Sequence, residues 1–434
     1  MSVPAEAAAE QPEIKALEAR KLWKQESNRI PEIANVNETA VKRFKTLGFP
    51  HPKHEMFTFV NTRPIAEANL VPPSGKVPDR EFIEGVVYLG CEKSHFVLVD
   101  GVYLPELSDL SALGSEVETS TLSSKDAGYL ENVLATEDDP FSALNGAFFG
   151  TGLSIAVKAK AIVTVPLQIT IISTGCKPSA SFPRILMRVG ELGECKTIIR
   201  YVGVGGDYFV NSTLDAILDD GAGMTFTQIQ EDETNSLHFS KVGLVMGHNT
   251  KFHAVNASFG CRLARHHYSA KLEGEAAEFN LKGVNVLAEE EQVHYYVRVA
   301  HVAPRCISNM HFKSIVNDKA RSSVDGTVIV EKDAQLTSSD QLINSLILGD
   351  DAHADSKPNL IINADDVKCT HGNTVGQIDE EQMFYLKTRG LSEYVAKTLL
   401  TQSFAASIVE QTPFSAVRED LQNTLQKKLE VPHD

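Results

Sequence analysis

Residues 277–287 read AEFNLKGVNVL and residues 293–303 read VHYYVRVAHVA. Both runs are short and rich in β-branched and aromatic residues, and apolar side chains alternate with polar ones over parts of each run. That alternation is typical of a β-strand with one buried face. The acidic run at residues 289–291 is best explained as a solvated turn between them. The two runs therefore predict consecutive strands joined by a turn.

Similar runs recur from residue 155 to residue 371, with starts roughly 10–14 residues apart in many places and no long helical period between them. Regular short strands are found in sandwiches, barrels and solenoids. A single sandwich rarely needs so long a strand-only region. Two strands in each coil of roughly 22–25 residues fit a parallel β-helix, in which a coil buries its apolar face by stacking on its neighbours.

The flanking regions differ from this core. Residues 1–80 are expected to form a helical or mixed region, in which Asn37 is predicted to cap a helix that Gly48 ends. Residues 81–375 are expected to form the mainly β core, with a connector at about 108–150. Residues 376–434 regain a helical period and are expected to form a helical domain. Its last helix carries an apolar stripe at Val417, Leu421, Leu425 and Leu429.

Composition narrows the classes of partner. The net charge of −16 argues against nucleic acid, because binding to phosphate backbones requires clustered Lys and Arg. No apolar stretch is long enough for a membrane span, and no secretory signal is recognisable at the N-terminus. The cysteines have no CxxC spacing and are expected to be reduced, mostly buried thiols, as in a cytoplasmic protein: Cys91, Cys176, Cys195, Cys261, Cys306 and Cys369.

The common catalytic motifs are absent from the sequence. It contains no GxxxxGK[ST] phosphate loop, no HExxH and no GxSxG. A β-helix enzyme acting on polysaccharide is an alternative, but a single tryptophan and the lack of a convincing carboxylate pair disfavour it. We therefore expect no catalytic residues and no enzymatic activity from this chain.

Three histidines are candidates for structural roles. In the pair His266-His267, one side chain is expected to face into the coil and the other outward, because neighbours on a strand alternate. His301 is expected to be buried and hydrogen-bonded within its coil.

Cys369 and His371 form the one arrangement with possible metal chemistry. In an extended strand these residues share a face, so a thiolate and an imidazole converge on one side. Both are suitable ligands for zinc or iron–sulfur chemistry, but two ligands do not complete a site. On spacing alone a purely structural pair is favoured. A metal site would need ligands from elsewhere in the fold, from a partner chain or from sulfide.

The segment that contains this pair also carries a family resemblance. Residues 357–391, KPNLIINADDVKCTHGNTVGQIDEEQMFYLKTRGL, resemble the hallmark of the SufB/SufD family in its SufD form. Residues 262–283, 299–318 and 340–352 match the family in order and spacing, so the resemblance covers about 145–410. Two local departures are Val324-Asp325-Gly326 in place of a Phe-Asn-Gly and His294 in place of an Asp.

The resemblance implies a right-handed parallel β-helix with helical ends. It implies a non-catalytic scaffold for iron–sulfur cluster assembly within a SufBCD-type complex. The expected partners are a SufB-like paralogue and a SufC-type ABC ATPase, with the ATPase docking on the helices at about 376–410. Sulfur-donor and carrier proteins would be further partners.

The same resemblance bears on the metal ligands. His371 matches the family's proposed cluster-ligand histidine, and Cys369 matches its neighbouring cysteine. The implied cofactor is a transient iron–sulfur cluster shared with the partner at the interface, with none bound tightly to the isolated chain. The alternative is a metal-independent structural adaptor in the same complex, in which the other subunit supplies every ligand.

Overall fold

The computed structural model describes residues 12–26, 33–51, 53–68, 70–73, 76–175 and 178–430. It confirms a mainly β protein built around a parallel β-solenoid, with helices N-terminal and C-terminal to the solenoid in the sequence. Cys176, predicted to be a reduced thiol, lies outside the described residues. No helix in the described ranges is long and apolar enough to cross a membrane.

Two parallel sheets form the walls of the solenoid, and from β7 onward consecutive strands alternate between them. The strands of sheet A are β1 (His95–Val99), β2 (Val102–Tyr103), β5 (Leu167–Ser173), β8 (Glu194–Gly203), β10 (Gly223–Glu231), β12 (Lys251–Ser258), β14 (Glu278–Leu287), β16 (Ile307–Val316), β18 (Ser338–Ile347) and β20 (Lys368–Gly376). The strands of sheet B are β3 (Val117–Thr121), β4 (Leu153–Val157), β6 (Ser179–Ser181), β7 (Arg184–Val189), β9 (Tyr208–Leu218), β11 (Leu237–Met246), β13 (Leu263–Leu272), β15 (Gln292–His301), β17 (Arg321–Val330) and β19 (His353–Ile362).

The space between the sheets is the main core. Residues in register on neighbouring coils stack side chain on side chain, as Phe252 and Phe279 do with ring centroids 5.7 Å apart. Each aliphatic or aromatic side chain there removes apolar surface from water only because the next coil covers it. The first coil is closed by a hairpin: Asp100 and Gly101 adopt φ of 52° and 85° between the antiparallel strands β1 and β2, the positive values that a tight Asp-Gly turn requires.

The N-terminal helices are α1 (Pro12–Glu26), α2 (Ala34–Leu47), α3 (Arg63–Ala66), α4 (Arg80–Val86), α5 (Ser124–Thr136) and α6 (Pro140–Phe148). All of them except α4 belong to the layer that covers the outer face of sheet B, whereas Ile83 of α4 packs against Val97 and Ile172 of sheet A. Phe141 of α6 packs against Phe239 of β11 with centroids 4.4 Å apart. Asn37 does not cap α2, contrary to the prediction. It is buried within the helix and donates its amide to the Gly146 carbonyl at 2.8 Å.

The C-terminal helices are α7 (Glu380–Thr388), α8 (Glu393–Val409) and α9 (Ser415–Glu430). The last two cover the outer face of sheet A, and α7 packs against α8. The predicted apolar stripe of α9 is confirmed, because Val417, Leu421 and Leu425 are buried against residues of sheet A such as Val255 and Val284. Both faces of the solenoid are thus partly covered by helices, while the strand edges at its C-terminal end are not paired within the described residues.

Candidate functional site

Cys369 and His371 lie on β20, the last strand of sheet A. Cys369 is in register with Ser339 of β18, and His371 with Gln341. Ser339 and Gln341 are buried at 2% and 1% exposure. The register therefore places Cys369 and His371 on the interior side of the final coil, on one face of the strand, as the sequence predicted.

The two residues differ from their register partners in exposure. Cys369 is half-buried and packs against the interior core, whereas His371 is exposed. The reason is positional, because no further coil of the described chain stacks on β20. Side chains that would be core residues one coil earlier thus reach the surface at the open end of the solenoid.

The environment of the thiol favours its protonated form. Partial burial raises the pKa of Cys369 above its ordinary value, and the backbone N–H of Ser339 acts against this rise. A thiol must lose its proton to bind a metal. A cation arriving at this position would therefore displace the proton and supply the compensating charge.

The ligand set at this end is incomplete. Among the residues that the structure describes, no group of three or more His, Cys, Asp or Glu side chains could hold a metal ion. Tetrahedral sites of zinc or of iron in clusters need four ligands. Cys369 and His371 can thus furnish at most part of a coordination shell.

The open end has the character of an interaction surface. Strands β19 and β20 terminate their sheets, so each has an edge of backbone groups without a pairing strand in the described chain. Exposed strand edges recruit further strands. Ile361, Ile362 and Val375 are 50%, 41% and 52% exposed on these strands, which is apolar surface next to the two candidate ligands.

A second exposed apolar surface lies on the C-terminal helices. We call it the α7–α8 patch, and its members are Phe384, Tyr385, Tyr394, Val395 and Leu399. None of the residues of α7 is buried. Phe384 is 70% exposed, and a cluster of exposed apolar side chains, rather than a single one, marks an interaction site.

Of the two helices that carry this patch, α8 is fixed to sheet A by polar contacts, and α9 adds further contacts to the solenoid. Lys313 of β16 donates to the Phe404 carbonyl at 2.9 Å, and its ammonium lies 4.6 Å from the Phe404 ring centroid. On α9, Asp420 accepts from the Tyr88 hydroxyl at 2.8 Å, and Lys428 pairs with Glu291 at 2.7 Å. The α8–α9 hairpin is thus attached along several coils of the solenoid.

The remaining candidate histidines have structural environments. His266 faces the interior and lies 2.9 Å from Ser240 Oγ, while His267 faces outward. The predicted alternation is right, although His267 is also buried because Asp139 of the N-terminal layer covers it at 2.6 Å. His301 is buried and bonds to Ser308 Oγ at 2.8 Å, which confirms the structural interpretation.

Some residues with structural roles, near the site and elsewhere, were not found from the sequence. Ser308 and Ser339 lie in the interior column that leads to Cys369, and Asp139 holds both Arg265 and His267. Asp139 precedes Pro140, and an acidic residue before a proline is a recognisable start of a helix. The serines carry no comparable signal, because their role depends on the register between coils.

Comparison with known proteins agrees with this architecture. The family model described as SUF system FeS cluster assembly, SufBD core domain, matches residues 171–404, which is more than half of the chain. The chain belongs to the SufBD family. Membership assigns it to iron–sulfur cluster assembly by the SUF system.

Curated relatives of the SufBD chain extend the similarity over most of its length. Iron-sulfur cluster assembly SufBD family protein slr0076 of Synechocystis is 26% identical, over 89% of this chain and 89% of the relative. Iron-sulfur cluster assembly protein SufD of Escherichia coli is 27% identical, over 84% and 85%. Protein ABCI7, chloroplastic, of Arabidopsis thaliana is 26% identical, over 92% and 86%.

Proposed function

We propose that this SufBD-family chain is a non-catalytic, cytoplasmic scaffold subunit of the SUF system. In this proposal it pairs with a SufB-like paralogue through the open end of the solenoid. A SufC-type ABC ATPase docks on the α7–α8 patch, and sulfur-donor and carrier proteins meet the assembled complex. Cys369 and His371 provide part of the coordination of the nascent cluster.

The observation that carries the proposal is the position of Cys369 and His371. Both belong to the interior register, yet both lie at a coil end that no described residue covers. Two ligands can complete a coordination shell when a second chain brings the remaining ligands to the same place. The exposed apolar residues and unpaired edges of β19 and β20 support an interface there.

The α7–α8 patch supports a separate role in docking. It lies on α7 and α8, and α8 packs on the outer face of sheet A through Ala405 and Ile408. The chain carries no phosphate loop, so ATP hydrolysis in such a complex belongs to another subunit.

The test is co-expression of the chain with SufB- and SufC-type subunits, followed by measurement of iron and sulfide in the purified complex. Cys369→Ser and His371→Ala are expected to lower both by more than half. The matched control is Thr370→Ala, since Thr370 lies between them and faces outward, where it bonds to Asp340. Wild-type cluster content in both ligand variants, with an intact complex, would instead support the metal-independent adaptor.

A further inference from the structure

A cluster of basic side chains lies on the outer face of sheet A, beside α8. Lys282 of β14 is in register with His311 of β16, and Lys313 follows His311 by two residues on the same face. Register partners lie about 5 Å apart at their Cα atoms, and residues two apart on one strand about 7 Å, so the three side chains can converge on one point. All three are half-buried, so the cluster is open to solvent.

The charge of this cluster is not balanced by carboxylates. Burial lowers the pKa of Lys282 and of Lys313, and neither lysine forms an ion pair within the described residues. On the same face, the carboxylates of Glu278 on β14 and Asp340 on β18 accept hydrogen bonds from an asparagine and a threonine instead. A charged group held partly out of water is costly unless an opposite charge compensates it.

The two lysines retain most of their hydrogen-bonding capacity. Lys313 donates one proton to the Phe404 carbonyl of α8 at 2.9 Å, which leaves two of its three protons. Lys282 forms no hydrogen bond within the described part of the chain, so all three of its protons are available. The cluster therefore offers two ammonium groups to a ligand that carries acceptor oxygens.

His311 can add a further donor. The Asn344 amide nitrogen donates to Thr374 Oγ1 at 2.8 Å, so the amide oxygen faces His311 Nε2 at 3.0 Å and Nε2 carries a proton. Burial, together with Lys313 and Lys282, lowers the pKa of His311, although the bond to Asn344 acts against this, so the ring is neutral in the free chain. A bound anion favours the imidazolium, in which Nδ1 also donates.

We propose that Lys282, His311 and Lys313 form a binding site for a small oxyanion of the phosphate or carboxylate class. The ammonium groups supply the compensating charge, and charge-assisted hydrogen bonds hold the oxygens. An oxyanion bound here neutralises the charge beside α8, the helix that carries part of the α7–α8 patch. The inference does not depend on the proposed function, because none of the three residues is a candidate cluster ligand or a member of that patch.

Protection of the lysines from acetylation tests the site in the full-length chain. N-hydroxysuccinimide acetate modifies accessible, unprotonated amines, and mass spectrometry of the peptides gives a rate for each lysine. Rates are compared in sodium phosphate, sodium succinate and sodium chloride at equal ionic strength, so that screening is the same in all three. Phosphate or succinate at about 20 mM is expected to slow the reaction of Lys282 and Lys313 by about threefold or more, the mass-action effect of a Kd below about 10 mM.

Two exposed lysines on the same face of sheet A serve as controls. Lys196 of β8 and Lys251 of β12 are expected to react at the same rate in all three salts. Lys282→Gln is expected to abolish the protection of Lys313, whereas the matched variant Lys251→Gln is expected to retain it. Lys282 makes no hydrogen bond or ion pair within the described residues, so its replacement leaves the fold intact.

The two anions also identify the class of ligand. Protection by phosphate alone assigns the site to phosphate groups, protection by succinate alone assigns it to carboxylates, and protection by both assigns it to either. The inference is overturned if neither anion protects Lys282 and Lys313 more than Lys196 and Lys251. It is also overturned if Lys282→Gln leaves the protection of Lys313 unchanged.

Discussion

Replacement of Asp139 by Asn should weaken the attachment of the N-terminal helical layer to the solenoid. The loss in free energy of unfolding should exceed that caused by replacing an exposed neighbouring carboxylate. Asp139 is fully buried and accepts hydrogen bonds from Arg265 at 2.8 Å and His267 at 2.6 Å. It also caps α6 through the Phe141 N–H. Burial alone would raise the pKa of Asp139, but Arg265 and His267 outweigh it and hold the pKa well below its usual range.

The magnitude follows from what the amide cannot replace. Asn is as good a helix cap as Asp, so the cap of α6 survives the change. The lost feature is the negative charge that compensates the Arg265 guanidinium, which is 2% exposed and has no partner for Nε or Nη2 in the described part of the chain. Removing one member of a buried ion pair costs about 3–5 kcal/mol.

The single tryptophan makes this cost measurable. Trp23 is buried in the N-terminal layer, with ring centroids 5.9 Å from Phe148 and 5.2 Å from Phe182. Urea titration followed by tryptophan fluorescence therefore reports the unfolding of this layer, and the free energy of that transition should fall by about 3–5 kcal/mol.

The neighbouring carboxylate provides the control. Asp138 pairs with Arg298 at 3.1 Å, but both side chains are about half exposed, so Asp138→Asn should change the free energy of unfolding by less than about 1 kcal/mol. Equal losses in the two variants, or a loss of less than about 1 kcal/mol in Asp139→Asn, would refute the assignment of Asp139 as the buried counter-ion that fastens this layer.

Two more predictions concern acid stability and docking. Burial lowers the pKa of His294 to about 3, so between pH of about 6.5 and 3 the unfolded chain binds a proton that the folded chain does not. The free energy of unfolding should therefore fall with decreasing pH in that window, and His294→Gln should make this fall shallower by about 1.4 kcal/mol per pH unit. Urea titrations at several pH values measure the slope, and an unchanged slope in the variant would contradict the prediction. If a SufC-type ATPase docks on the α7–α8 patch as proposed, Phe384→Ser should weaken its binding at least about tenfold in a calorimetric titration. Leu89→Ser, which alters an exposed apolar residue elsewhere, should leave the binding unchanged.

The solenoid was predictable because its determinants are local and repeat. Alternating apolar residues, such as Phe279 and Leu281, mark every coil, and the shift to a helical period after β20 marks its end. The α9 stripe was predictable for the same reason. Asn37 was mistaken for a cap because the sequence could not show Gly146, a residue more than a hundred positions away, as its hydrogen-bond partner.

The site was predictable only in part. Side chains alternate between the two faces of a β-strand, so the sequence predicted Cys369 and His371 on one face, and the register confirms that they share it. The direction of that face, toward the interior of an uncovered coil, depends on Ser339 and Gln341 in the strand below. Ser308 and Ser339, the serines of the interior column below Cys369, could not be chosen from the sequence, because many polar residues face outward on the same strands.

A short series of contacts and paired strands connects the α7–α8 patch to the open end of the solenoid. Lys313, which holds α8 through Phe404, lies on the same strand as Ser308, and that strand pairs with β18, which pairs with β20. The pairing is continuous from β16 to β20, and Cys369 and His371 lie two residues apart on one paired strand, so the extended backbone fixes their spacing. If the ATPase docks on the α7–α8 patch as proposed, its motion therefore cannot open the ligand pair from within the chain. In the proposed function it would therefore shift the whole coil end relative to the partner's ligands, and the interface, rather than either subunit alone, would be the place where a cluster is held or released.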